Sequence, residues 1–323
     1  MNINELSGKQ QWLRFVGTAG PGLGKHIVLV SGDEEYRSEE ALPMLAKILA
    51  VRHGFTCTVL FAIDPDSGCI EPGIQTNIPG IESLRQADLM VIFTRFRELP
   101  DEQMRHIDEY LQSGKPIIGI RTATHAFCYA KESQSPYAKY SFHSPSPWEG
   151  GFGRQVLGDT WVDHHGIHGK EGTRGINNPH QAGHPVLAGV SDIFGPSDVY
   201  TIRDLPASAT VLVYGQVVTG LQPTDSPVAG ARNDPMMPLI WLKEYVGDSG
   251  RTTPVLTSTI GASVDLQSEG LRRVLVNGCY WLLGLAERIT SDSSVAYVGE
   301  YSPTFYGFGT YVKGLKPADF GSV

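Results

Sequence analysis

Two almost continuously apolar runs, LMVIF at 89–93 and PIIGI at 116–120, constrain this chain more than any other feature of it. A strand that is apolar on both faces has to lie inside a sheet covered on both sides, and such sheets are characteristically parallel. HIVLVS at 26–31 and FTCTVLFAI at 55–63 read as further strands, being rich in β-branched and aromatic residues. Between those two, Leu42, Leu45, Ile48 and Leu49 recur with helical spacing, and Gly54 closes the helix. The stretch 87–120 repeats the order of strand, loop, helix, glycine-proline stop and strand. Strands separated by crossovers of this length predict a mostly parallel, doubly wound α/β sheet with helices on both faces, His26 opening its first ordered element. Later strands are expected at VLVYGQVV, PLIWL and PVLTSTIG, and a last amphipathic helix at EGLRRVLVNGCYWLLGL. There is no internal repeat. The expected division is an N-terminal extension over 1–25, one elaborated domain over 26–289, and a surface tail over 290–323.

In parallel sheets ligands gather beyond the carboxyl ends of the strands. Three loops leave those ends, GDEEYRSE, TRFRELPD and RTATHAFCY, and they offer Asp33, Glu34, Glu35, Tyr36, Arg37, Arg95, Arg97, Arg121 and His125. A net charge of −8 argues against a nucleic-acid partner or an anionic membrane surface. No run approaches the roughly 20 apolar residues of a membrane helix. The amino end lacks the charged start and apolar core of a signal peptide, so a cytoplasmic protein is expected, with a periplasmic or exported one as the alternative for a processed chain. Cys57, Cys69, Cys128 and Cys279 are widely spaced and form no CxxC pair, which suggests neither a zinc ribbon nor a disulfide framework.

Three chemistries can be weighed against these residues. A strand ending in a sharp turn is where a nucleophilic Cys or Ser is displayed, yet the turn GIRTATH holds neither, and Arg121 stands in that place. Cys128 lies seven residues further on, and Thr122 and Thr124 read as turn-stabilising hydroxyls. Metal binding is the second chemistry. DHHGIHG places Asp163, His164, His165 and His168 together, with Gly166 and Gly169 arguing for a loop, and a divalent ion such as zinc is the metal considered, with His164, His165 and His168 as ligands. Acid–base catalysis on a polar ligand is the third, with Glu34, Glu35 and His125 as proton carriers and Arg95, Arg97 and Arg121 orienting them or the substrate. Internal ion pairs between those arginines and the acidic run compete with this reading. Glu39 and Glu40 are expected at a solvated helix start. Asp198 and Tyr200, in GPSDVY, join the site only if the fold brings them to the same crevice.

Taken together, GDEEYRSEEALP, VIFTRFRELP, GIRTATHAF, GGFGRQVLGDTWVDHHG, GHPVLAGVSDIFGPSDVY, PLIWLKEY and RRVLVNGCYWLLG resemble the ThuA-like (trehalose utilisation) family in order and spacing, from about 26 to 285. The resemblance implies a class I glutamine amidotransferase-like, flavodoxin-like three-layer sandwich without the glutaminase nucleophile. It also implies a bacterial protein of carbohydrate metabolism, acting on a glycoside, disaccharide or keto-sugar by hydrolysis, elimination or isomerisation. His125 matches the family's polar post-strand turn, His165 the histidine after the Gly-Gly-Phe segment, and Asp198 with Tyr200 its Asp-x-x-Tyr-like segment. The chain departs from the family pattern at RTATHAF, where relatives carry an acidic residue, and at Ala262, where relatives carry histidine. The expected catalytic set is therefore His125, Glu34, Glu35 and His165, with Tyr36, Arg37, Arg95, Arg97, Arg121, Asp198 and Tyr200 contacting a sugar. A homo-oligomer fits this reading. The competing class is a non-catalytic sugar-binding or scaffolding protein on the same fold.

Overall fold

The computed structural model describes residues 10–322. Ten strands form one sheet: β1 (Trp12–Val16), β2 (His26–Gly32), β3 (Thr56–Leu60), β4 (Leu89–Thr94), β5 (Ile117–Ile120), β6 (Gly172–Asn177), β7 (Phe194–Gly195), β8 (Thr210–Val218), β9 (Met237–Val246) and β10 (Thr252–Ser258). Three α-helices accompany them: α1 (Ser38–His53), α2 (Asp101–Leu111) and α3 (Glu269–Leu282). Across the sheet the order is β1-β3-β2-β4-β5-β10-β9-β8-β6-β7. The block β3-β2-β4-β5-β10 is parallel throughout, which is the doubly wound, flavodoxin-like order. The other pairings are antiparallel.

The sheet is thus mixed, which corrects the expectation of a mostly parallel one. The physical reason lies in the connections: Val246 and Thr252 are too close in sequence for the dozen or more residues a parallel crossover needs, so β9 and β10 pair as neighbours in opposite directions. A second correction concerns residues 10–25. Trp12–Val16 is a strand that pairs antiparallel with β3, with Leu13 and Phe15 turned into the core. Among the described residues the first element is this edge strand, not the one opening at His26.

Side-chain alternation along the parallel strands builds a core on each face of the sheet. Ile27 and Leu29 of β2 pack with α1 and α3, while Val28 and Val30 pack on the opposite face with α2. Gly54 ends α1 in the left-handed conformation at φ 83°, donating its N–H to the Ala50 carbonyl, as the sequence predicts. Glu39 and Glu40 depart from expectation. Glu39 is buried, and Glu40 accepts from the Thr304 N–H at 2.7 Å and hydroxyl at 2.6 Å, because the tail beyond 290 folds over the start of α1. Among the described residues no helix is long and apolar enough to cross a membrane, and all four cysteines are free thiols.

Candidate functional site

The loops after β2, β4 and β5 are held in a shared geometry. Each contains one non-glycine residue with a left-handed backbone: Arg37 at φ 60°, Phe96 at φ 53° and Arg121 at φ 48°. Such conformations cost about 1–3 kcal/mol each and persist where the surroundings over-determine them. Buried Asp33 supplies part of that constraint. Its carboxyl accepts from the N–H groups of Glu35 and Tyr36 and from the Thr122 hydroxyl, clipping the β2 loop to the β5 loop. Burial, followed by the charge of Glu34, raises the Asp33 carboxyl to about 6. The turn after β5 is thus strained at Arg121, whose guanidinium is turned into the protein.

Arg121 is fully buried and underlies the site. Its Nη1 donates to the carbonyls of Asp198 at 2.6 Å and Thr259 at 2.7 Å. Its Nη2 donates to the Tyr36 hydroxyl and to Asp198 Oδ1, both at 3.1 Å. The rings of Tyr36 and Tyr200 hold the guanidinium carbon at 4.4 and 3.8 Å from their centroids. This cation anchors the buried Asp198. Burial by itself would raise that carboxyl, but Arg121, His164 and His168 outweigh it and hold Asp198 well below the usual carboxylate range.

Above Asp198 stand two imidazoles from the loop that precedes β6. His164 Nδ1 lies 2.6 Å from Asp198 Oδ2, and His168 Nδ1 lies 2.9 Å from Oδ1. His168 Nε2 also faces Glu35 Oε1 at 3.3 Å. Hydrogen bonds to Asp198 and then Glu35 raise His168 to about 9, so it is an imidazolium at neutral pH. An ionised carboxylate can only accept, so Asp198 selects the tautomer of His164 with its proton on Nδ1. In the neutral ring Nε2 of His164 carries the lone pair, on a side chain that is partly open to solvent. A base, an acid and a second carboxylate lie within one cluster.

The remaining expected residues fall into distinct places. Arg95 and Arg97 both pair with Glu34, and Arg97 is buried and also donates to the Pro72 and Ile74 carbonyls, so the ion-pair reading describes it. Arg37 is buried as well, donating to the carbonyls of Glu35 and Gly307 and to the Thr310 hydroxyl, so it joins the tail to the site and is not open to a substrate. His125 is buried among Phe96, Trp161 and Tyr200; burial, then Arg95 and Arg121, push it well below its usual range, leaving it a neutral wall. His165 turns away from the cluster, its Nε2 on the Arg232 carbonyl at 2.7 Å. Among the described residues the metal-capable group is therefore His164, His168 and Asp198, with one donor atom of each within 4.8 Å of the others. Aspartate replaces His165 in the expected triad because the chain doubles back: His164 bridges to Tyr200, which puts Asp198 beneath the histidine loop. Two imidazoles and a carboxylate suit a transition metal more than magnesium or calcium. Tyr306 was not foreseen; its ring lies 5.2 Å from that of Tyr36 and 5.4 Å from that of His168.

Fold and site together define a mixed α/β protein with an imidazole–carboxylate centre at the carboxyl edge of its parallel strands. Among solved structures, the chain is similar to a protein from Bacteroides uniformis described as ThuA-like, at 13% identity and a TM-score of 0.47, covering 82% of this chain and 93% of that one. It is also similar to one from Parabacteroides merdae described in the same way, at 14% identity and a TM-score of 0.49, covering 93% of this chain and 99% of that one. These are proteins of the family that the sequence resembles. No protein-family model and no curated protein matches the chain.

Proposed function

We propose that this chain is an acid–base enzyme acting on a sugar or glycoside by hydrolysis, elimination or isomerisation, without a cysteine nucleophile. The observation that carries this reading is one buried carboxylate, Asp198, anchored by Arg121 and shared by His164 and His168. Asp198 orients His164 so that Nε2 accepts a proton from the substrate, the arrangement in which a buried aspartate fixes the tautomer of a catalytic histidine. His168, held as an imidazolium between Asp198 and Glu35, supplies a proton or stabilises developing negative charge. The polar hydroxyls of a sugar suit such a centre, and the partly exposed aromatic rings of Phe96, Phe142 and Trp161 offer flat surfaces for its apolar face.

The same donors can hold a divalent cation such as zinc, which would supply a Lewis acid or an activated water. A metal that took Nδ1 of either imidazole would displace the proton there, so its uptake would release protons and weaken as pH falls. Turnover of a panel of disaccharides, aryl glycosides and keto-glycosides tests the proposal. General acid–base groups contribute about 10²–10⁴-fold, so His164→Ala and His168→Ala are each expected to lower kcat within that range. Turnover unchanged in both variants, or saturable sugar binding without any chemical change, would contradict it.

A further inference from the structure

Beside the cluster lies a cavity of about 550 Å³. Phe194, Pro196, Leu221 and Phe305 give it apolar walls, the amides of Gln222 and Gln267 stand in its lining, and Asp192 is the one charged residue there among those described. Its volume falls within the range of small-molecule sites, of about 300–1,000 Å³. The cavity shares its partition with the cluster. Pro196 precedes Asp198 by two residues, and its carbonyl accepts from the Tyr306 hydroxyl at 3.0 Å. Phe305 stacks on Tyr306 at 4.3 Å between centroids, and Tyr306 in turn lies 5.4 Å from His168. Phe305 is 47% exposed although its neighbour in sequence is buried, so the part of this ring that Tyr306 leaves uncovered lines the cavity.

We infer that this cavity is a subsite for a flat, uncharged apolar group of the substrate, such as the aryl aglycone of a glycoside. The sugar joined to that group would extend past Tyr306 toward His168, whose ring lies 5.4 Å from that of Tyr306. The inference rests on the sugar reading for its polar half, whereas the apolar half stands on the cavity alone. Fluorescence titration with 4-methylumbelliferone, which has no sugar, tests the apolar half: saturable binding is expected, weakened at least tenfold by Phe305→Ala and by Leu221→Asp. No saturable binding, or binding that both variants leave unchanged, overturns the subsite. The β-glucoside of the same fluorophore tests the join. It should bind more tightly than the free fluorophore, and His168→Ala should remove that excess alone. Free fluorophore binding that is sensitive to Phe305, with no excess for the glucoside, would uphold the cavity and refute the sugar reading.

Discussion

Asp198 carries its charge inside the protein because three donors reach its two oxygens, from Arg121, His164 and His168. Removing that charge strands a fully buried guanidinium, and breaking a buried pair on one side costs about 3–5 kcal/mol. Asp198→Asn is expected to lower unfolding stability by that order in urea titrations; an unchanged midpoint would show that another group balances Arg121. His168 gives a pH signature. Its folded value of about 9 lies above the ordinary 6.5, so its ion pairs stabilise the fold fully below pH 6.5, and that contribution is lost as pH rises through about 9. The melting-temperature gap between the native chain and His168→Ala should therefore be widest near pH 6 and close by about pH 10. A gap independent of pH would show that His168 is not charged in the fold.

At the scale of elements, the tail and α1 act as one unit with the site. Thr304 bonds Glu40 twice, and Arg37 donates to the Gly307 carbonyl just beyond the cluster's loop. Thr304→Val removes the hydroxyl donor and leaves a Glu40 oxygen less well paired, at a cost of about 1–2 kcal/mol. Limited proteolysis should then cut the tail beyond 290 faster while the sheet resists; equal cleavage rates would place the tail's anchor elsewhere. None of this docking was legible in the sequence, since the tail has no hydrophobic period to announce a partner. Helices α1, α2 and α3 were legible, α1 and α3 from apolar residues at helical spacing, α1 and α2 also from a stop signal. β6 and β7 were not, because GTRGIN and a two-residue strand owe their conformation to distant pairing with β8 and with each other.

For the whole molecule, the parallel block could be read from continuous apolar runs, whereas the antiparallel extension needed knowledge of which strands become neighbours. The same division runs through the site. Arg121 stood out at the elbow, and His164 and His168 stood out by spacing, but their common partner Asp198 lies some 30 residues away in sequence. His165, chemically as good a ligand, could be separated from its neighbours only by the path of the loop. The long-range proton–nitrogen NMR spectrum of ¹⁵N-histidine-labelled protein at pH 7 tests the central claim most directly. It should show a proton on Nδ1 of His164, facing Asp198, and His168 protonated on both nitrogens, with the latter titrating near 9. A His164 with no proton on Nδ1, or a neutral His168 at that pH, would contradict the Asp198-centred account.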